Sequence, residues 1–246
     1  MKACWTVKKG RRAFLRAAAA TVVLGGLPFA ARAAAAAAGK MKIGIVGSGR
    51  IGGTLGRIWA NAGHTVMFSS LDLEHDKALA ASVGPNARAG TSREAAAFGD
   101  VILMAVPYHA LPQVGKDLAG LIKGKVVIDA CNPFPGRDGE VGVWARTKGA
   151  GLASAELLPG ARIVRAFNAV GYARLPEAAQ RQERYGMPIA SDDAKAAAIA
   201  SSLIRDVGYE PVLVGPLVMG RHLIPGTPLA GERGPEEIRR IAATLK

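Results

Sequence analysis

The feature that most constrains the fold is a glycine cluster that directly follows a short apolar segment. Residues 42–46 are apolar after the initial lysine, as in a buried strand, and residues 47–52 read Gly-Ser-Gly-Arg-Ile-Gly. Residues 50–61 then carry apolar side chains at helical spacing. A G-x-G-x-x-G sequence between a strand and a helix is the fingerprint of a dinucleotide-binding turn, whereas the same letters without that context are weak evidence.

The three glycines have separate roles in such a turn. Gly47 permits the tight turn, Gly49 lets the pyrophosphate approach the backbone, and Gly52 allows the helix to pack closely on the strand. The N-terminus of the helix presents free N–H groups and a partial positive charge to the phosphates. The predicted cofactor-binding turn comprises Gly47, Ser48, Gly49, Arg50, Ile51 and Gly52. The alternative is a glycine-rich turn that binds no ligand.

The rest of the chain alternates strand-like and helix-like segments. Apolar runs such as residues 65–68, 101–106 and 125–129 are separated by segments of helical periodicity. Short alternating units of this kind form a parallel sheet covered by helices on both faces. We predict an α/β fold of the Rossmann type, with a doubly wound, mostly parallel sheet and a C-terminal βαβ-like extension. The predicted NAD(P)-binding domain covers residues 41–246, and its extension begins at about residue 168.

The distribution of charge argues against a nucleic-acid partner. The net charge is +13, but residues 1–40 contain eight Lys or Arg and no acidic residue. The remainder holds 24 basic and 19 acidic residues, without a run of five Lys or Arg. Aromatic residues, which stack on bases, make up only 5% of the chain. The composition therefore excludes nucleic acid as the expected partner.

The charge of the N-terminal segment belongs to a predicted export signal. Residues 11–16 read Arg-Arg-Ala-Phe-Leu-Arg, which resembles the twin-arginine motif, although Gly10 stands where the motif usually has Ser or Thr. The apolar run 17–31 is shorter than the roughly 20 residues of a membrane span and fits the h-region of a signal peptide. We predict that residues 1–40 are a cleaved signal peptide, that the twin-arginine export machinery is a partner, and that the mature protein is periplasmic or otherwise extracytoplasmic. An uncleaved anchor or a basic tail is the alternative.

The choice between NAD and NADP depends on the end of the second strand. An NAD site usually carries Asp or Glu about 20 residues after the first glycine, where it binds the ribose hydroxyls. Residues 68–71 read Phe-Ser-Ser-Leu and contain no acid. Ser69 and Ser70 can donate to a 2′-phosphate, and Arg50 can pair with it, whereas a carboxylate at Asp72 would repel it. The pattern favours NADP, with NAD as the alternative.

Five segments together resemble the family of deazaflavin-dependent NADP reductases. They are residues 45–52 (Ile-Val-Gly-Ser-Gly-Arg-Ile-Gly), 105–107 (Ala-Val-Pro), 129–133 (Asp-Ala-Cys-Asn-Pro), 164–168 (Val-Arg-Ala-Phe-Asn) and 208–212 (Gly-Tyr-Glu-Pro-Val). The resemblance spans roughly residues 42–230 and extends to the NADPH-oxidoreductase domain of the STEAP metalloreductases and the N-terminal domain of pyrroline-5-carboxylate reductase. It implies a Rossmann-type fold that exchanges hydride with NADP(H).

The resemblance also implies which loops contact the cofactor. The loop after the fourth strand packs on it, which implies Val106, Pro107 and Tyr108. The Asn-Pro pair after the fifth strand lines the nicotinamide region, which implies Asn132 and Pro133. Both loops follow the carboxyl ends of strands, where ligands of such sheets bind. Family members often carry Ser-Arg at the end of the second strand, where this chain has Ser-Ser, and no motif is diagnostic of the deazaflavin itself.

The sequence identifies no catalytic acid or base. His109 could donate a proton, Asn168 could hold the nicotinamide amide and Cys131 could be a redox thiol, but each has an ordinary structural alternative. The four histidines lack metal-ligand spacing, so no metal site is predicted. Hydride transfer needs little acid–base help, because the cofactor carries the chemistry.

We therefore predict an exported NADP-dependent oxidoreductase with a small-molecule electron acceptor, which could be a flavin, deazaflavin, quinone or metal chelate. A non-catalytic nucleotide-binding sensor or scavenger is the alternative function. The subunit number stays open, with a homodimer as one option.

Overall fold

A computed structural model describes residues 39–245 of the chain. The export signal predicted at the N-terminus falls on residues 1–40 and so lies almost entirely outside the described residues. Within residues 39–245, no helix combines the length and the apolar character needed to cross a membrane.

The described residues form one eight-stranded sheet with helices packed against it. The strands are β1 (Lys42–Val46), β2 (Thr65–Ser69), β3 (Ala87–Ala89), β4 (Val101–Met104), β5 (Val126–Asp129), β6 (Arg162–Arg165), β7 (Gly186–Ala190) and β8 (Glu210–Gly215). The helices are α1 (Arg50–Asn61), α2 (Leu73–Val83), α3 (Ser92–Phe98), α4 (Leu111–Ile122), α5 (Pro135–Lys148), α6 (Ala150–Leu157), α7 (Ala194–Val207) and α8 (Pro235–Thr244). Short 3-10 turns follow β4, β6 and β8.

The strand order is β3-β2-β1-β4-β5-β6-β7-β8. The first six strands in this order are parallel and reproduce the order of a dinucleotide-binding sheet. β7 pairs antiparallel with β6, and β8 then pairs parallel with β7 across α7, which makes the C-terminal βαβ extension. The predicted fold class is confirmed. The strand order reverses between β1 and β4, and this switch point is where such sheets bind ligands.

The central strands β4 and β5 are buried on both faces of the sheet and are almost wholly apolar. All four residues of both β4 and β5 are buried, as parallel strands require when helices cover both faces. Two glycines bring α1 onto β1. A Cβ at Gly52 would lie 2.0 Å from the Gly47 carbonyl oxygen, and a Cβ at Gly56 would lie 2.3 Å from the Phe68 ring. This close packing fixes the start of α1 directly beyond the end of β1.

Helix α5 is an element that the sequence pattern did not indicate. It begins with Pro135 in its first turn, and Gly139 interrupts it with a φ of 55°. The segment contains three glycines and few apolar residues, so it shows no helical periodicity. Its N-terminal end matters for the site, because it holds a buried carboxylate beside the loop that follows β4.

Candidate functional site

The glycine turn after β1 is built as a dinucleotide-binding turn requires. Gly47 has a φ of 99°, and a Cβ there would lie 2.5 Å from the Ala105 carbonyl oxygen, so no other residue fits. The Gly47 and Ser48 N–H groups both donate to the Ser69 carbonyl oxygen, at 2.9 Å and 3.0 Å. The turn is therefore fixed between the carboxyl ends of β1, β2 and β4.

The N-terminus of α1 is open to an anion. Gly49 is the N-cap residue, no side chain caps the helix, and the first turn contains no acidic residue. A Cβ at Gly49 would meet no atom within 4 Å, so the face of the turn is exposed to a ligand. Uncapped N–H groups and the positive end of the helix favour a phosphate here. The residues present thus fit the pyrophosphate of a dinucleotide.

A cleft of about 410 Å³ extends from this turn along the carboxyl ends of the strands. Residues 46–49, residues 70–72 from the end of β2, and residues 105–107 with His109 from the loop after β4 contribute to its lining. A larger cleft of about 690 Å³ lies on the other side of the turn, where Arg50, Arg57 and His75 contribute to the lining. The smaller cleft is the candidate site, because it lies at the switch point of the sheet.

Two residues predicted to bind a 2′-phosphate have other partners. The Ser69 side chain is fully buried and its hydroxyl donates to the Ile45 carbonyl oxygen at 2.6 Å, so it does not face the cleft. The Arg50 guanidinium lies 5.3 Å from the centre of the Tyr172 ring and lines the larger cleft. These two expectations are corrected, because strand-end packing and a cation–π contact place both side chains elsewhere.

Ser70 does line the cleft, but its hydroxyl is already engaged. It donates to the Asp76 carboxylate at 2.9 Å, and the Ser48 hydroxyl donates to the other oxygen of the same carboxylate. Asp76 lies on α2 and is fully buried. The nearby Asp72 caps α2 by accepting from the His75 N–H at 2.9 Å. The sequence did not single out Asp76, because its neighbours in the helical segment are charged and the residue therefore looks like one on the protein surface.

The loop after β4 divides between the cleft and the core. Val106 and Pro107, which the resemblance implies as cofactor contacts, line the cleft. Tyr108 does not, because its side chain is fully buried and its hydroxyl bonds to the Ala150 carbonyl oxygen at 3.1 Å and to Ser154 Oγ at 2.9 Å. Burial raises the pKa of this phenol well above its usual range. The expected cofactor contact by the Tyr108 side chain is therefore corrected.

His109 borders the cleft and is held by a buried carboxylate. Its Nδ1 lies 2.9 Å from Asp138 Oδ1, and its side chain is half-exposed. Burial alone raises the pKa of Asp138, but hydrogen bonds from Arg137, the Phe134 N–H and His109 outweigh it and hold the pKa well below its usual range. Asp138 is thus an ionised anchor that orients the imidazole. It lies on α5, the helix that the sequence pattern did not indicate.

A buried ion pair organises the loop after β5. Arg165 and Asp129 are both fully buried, and Arg165 Nη1 donates to Asp129 Oδ2 at 2.5 Å. Arg165 Nη2 donates to the Cys131 carbonyl oxygen at 3.0 Å, and the Cys131 N–H donates to Asp129 Oδ1 at 2.9 Å. Burial raises the pKa of the Cys131 thiol well above its usual range, which suits a structural rather than a redox role.

Asn132 and Asn168 meet at the carboxyl ends of β5 and β6. Asn132 Nδ2 donates to the Asn168 carbonyl oxygen at 2.9 Å, and Asn168 Nδ2 donates to the Cys131 carbonyl oxygen at 3.2 Å. The side-chain oxygens of both residues are buried and have no hydrogen-bond partner among residues 39–245. Pro133 is buried directly after Asn132. Neither residue lines the cleft itself, but unpaired acceptors of this kind would suit a ligand that carries amide donors.

The backbone just before Asn168 is strained. Phe167 has a φ of 64°, a region that bulky residues rarely adopt. Its ring is buried and packs edge-on against Trp59, with ring centres 5.9 Å apart. Packing therefore holds the strained backbone that directs Asn168 towards Cys131 and Asn132. Strained backbone that is held by its surroundings is common at functional sites.

Comparisons with known proteins agree with this architecture. Residues 42–133 match the family model described as NADP oxidoreductase, coenzyme F420-dependent. A hypothetical protein from Sinorhizobium meliloti shares 25% sequence identity at a TM-score of 0.66, over 78% of this chain and 93% of its own. A protein described as an F420-dependent NADP-reductase, from an Arthrobacter species, shares 18% identity at a TM-score of 0.62, over 74% and 87%. A pyrroline-5-carboxylate reductase from Coxiella burnetii shares 16% identity at a TM-score of 0.53, over 71% and 59%.

The matched segment contains most of the residues of the candidate site. It begins with β1 and ends at Pro133, so it includes the glycine turn, the end of β2, and the loops after β4 and β5. The resemblance noted in the sequence is confirmed for this segment and for the shared fold. The match and the fold together indicate an NAD(P)-dependent oxidoreductase domain.

Proposed function

We propose that this protein is an oxidoreductase that binds a nicotinamide dinucleotide in the cleft beyond β1, β2 and β4 and exchanges hydride with a small-molecule acceptor. The glycine turn is the observation that carries this proposal. The positive φ of Gly47 requires glycine at that position, and the space in front of Gly49 is open to a ligand. No side chain caps the helix that follows. Such a turn at the switch point of the sheet is suited to a pyrophosphate.

Two groups of polar residues, one in the cleft at the end of β2 and one after β5 and β6, give the cofactor its direction. The end of β2, with Ser70 and Asp72, suits the adenosine ribose, as in other dinucleotide-binding sheets. The unpaired oxygens of Asn132 and Asn168 suit the carboxamide of the nicotinamide, which would donate to them. These contacts would fix which face of the ring is turned to the acceptor. The bound dinucleotide supplies or receives the hydride, and no protein side chain is assigned as acid or base.

The acceptor and the cellular location belong to the proposal as well. A flavin, deazaflavin, quinone or metal chelate each accepts hydride or electrons without a protein nucleophile, and the description of the matched family names coenzyme F420. The twin-arginine motif at residues 11–16 supports export of the folded protein by the twin-arginine machinery to an extracytoplasmic compartment. Nucleotide is scarce there, so export in a folded, loaded state would suit a nucleotide-dependent enzyme.

Steady-state oxidation of NADH and NADPH by the purified protein tests the function. Flavin mononucleotide, menadione and ferric citrate would serve as acceptors, with absorbance of the reduced dinucleotide as the signal. We expect saturable oxidation with at least one acceptor, and no oxidation by Gly49→Val. Saturable binding of the dinucleotide without oxidation in any of these mixtures would instead support the nucleotide-binding sensor or scavenger.

A further inference from the structure

Beside the end of β2, a buried carboxylate on α2 accepts hydrogen bonds from the two hydroxyls that a phosphate would need as donors. Asp76 is fully buried, and the hydroxyls of Ser48 and Ser70 donate to its two oxygens. A hydroxyl has a single hydrogen to donate. Because both hydrogens are directed at Asp76, neither serine has a free donor for a 2′-phosphate on the adenosine ribose.

A second carboxylate adds to the negative charge at the same place. Asp72 is exposed and lines the cleft. Neither Asp72 nor Asp76 takes part in an ion pair in the part of the chain that the structure describes. The nearby Arg50 lies against Tyr172, and Lys77 is paired with Glu74. The adenosine end of the cleft is therefore acidic.

We propose that Asp76, acting through Ser48 and Ser70 and together with Asp72, makes the cleft selective for NAD(H) over NADP(H). This inference rests on the proposed function, because it concerns the ribose of the same cofactor. A free 2′-hydroxyl can donate to a carboxylate or to a serine oxygen, so NAD(H) gains a bond where NADP(H) meets repulsion. The matched family's description names NADP, but the selectivity is set by residues of this chain at the end of β2.

The proposed selectivity is opposite to the preference for NADP that the sequence favoured. That preference depended on donors from Arg50, Ser69 and Ser70. The structure gives each of them another partner, namely the Tyr172 ring, the Ile45 carbonyl oxygen and the Asp76 carboxylate. Asp76 is a positioning residue in this account, because it acts on the ribose through the two serines.

Titration calorimetry with NADH and NADPH tests the selectivity. The wild-type protein should bind NADH at least about tenfold more tightly than NADPH, since one unfavourable charge contact at the protein surface is worth that much. Asp76→Asn keeps the shape of the side chain and removes its charge, and should tighten NADPH binding by about tenfold while changing NADH binding far less. Asp72→Asn still caps α2 and should shift the ratio in the same direction.

The matched control is Asp100→Asn, which removes an exposed carboxylate immediately before β4, at the amino ends of the strands and away from the cleft. It should leave the ratio of the two affinities unchanged. Tighter binding of NADPH by the wild-type protein, or an unchanged ratio in both Asp76→Asn and Asp72→Asn, would overturn the selectivity while leaving the proposed function in place. If neither nucleotide binds, the proposed function fails and this inference fails with it. If Asp76→Asn does not fold, Asp72→Asn alone decides.

Discussion

Replacing Gly49 by valine should abolish dinucleotide binding while leaving the fold intact. Gly49 has a φ of −65°, so the position does not need the left-handed conformation that favours glycine. A Cβ at this position meets no protein atom within 4 Å. The added side chain therefore occupies only the space into which the pyrophosphate must come.

The size of the effect follows from the bonds that the phosphates would lose. Each hydrogen bond from a backbone N–H to a charged phosphate oxygen contributes about 1.5–3 kcal/mol. Loss of two such bonds amounts to roughly 3–6 kcal/mol, which is at least about a hundredfold in affinity. The dissociation constant measured by calorimetry should rise by that factor or exceed the measurable range.

Two other glycines supply the controls for this prediction. Gly120 on α4 is exposed and also has open space around a Cβ, so Gly120→Val should keep wild-type affinity. Gly52→Val should instead lose the fold, because a Cβ there would lie 2.0 Å from a carbonyl oxygen. Thermal unfolding separates these cases. A folded Gly49→Val protein with wild-type affinity would refute the reasoning, since the glycine cluster would then be a structural turn only.

Three further predictions concern other parts of the account. Asn132→Ala should lower kcat by about tenfold with little change in dinucleotide affinity, because it removes one bond that orients the nicotinamide, and an equal loss of affinity would argue against this placement. Asp138→Asn should lower the melting temperature at neutral pH. The pKa of Asp138 is depressed in the folded state, so its stabilisation is present above the unfolded pKa of about 4 and is lost as the pH falls towards the folded pKa. The difference in melting temperature between the two proteins should therefore narrow in acid. A difference that stays constant with pH would contradict this role of Asp138. Replacing Arg11 and Arg12 together by lysine should retain the protein in the cytoplasm, and continued export seen by fractionation would exclude the twin-arginine route.

The glycine turn and the doubly wound, mostly parallel sheet were predictable from local patterns. Gly47, Gly49 and Gly52 stand at fixed spacing between an apolar strand and an amphipathic helix, and that context restricts the fold to very few topologies. The apolar runs of β4 and β5 likewise indicate buried parallel strands without any knowledge of their neighbours.

The direction of individual side chains was not predictable in the same way. Ser69 and Tyr108 both lie next to the cleft in sequence, but packing turns the first to Ile45 and the second to Ser154. Asp76 becomes part of the site only because α2 folds back so that the residue faces Ser48. Contacts of this kind join distant segments, and a single sequence carries no signal for them.

A crystal structure of the protein with NADH bound would test the central claim most directly. The account predicts the pyrophosphate against the N–H groups at the start of α1, the adenosine ribose beside Ser70 and Asp72, and the nicotinamide carboxamide donating to Asn132 and Asn168. Density for the dinucleotide in the larger cleft beside Arg57, or with its ends reversed, would contradict the account.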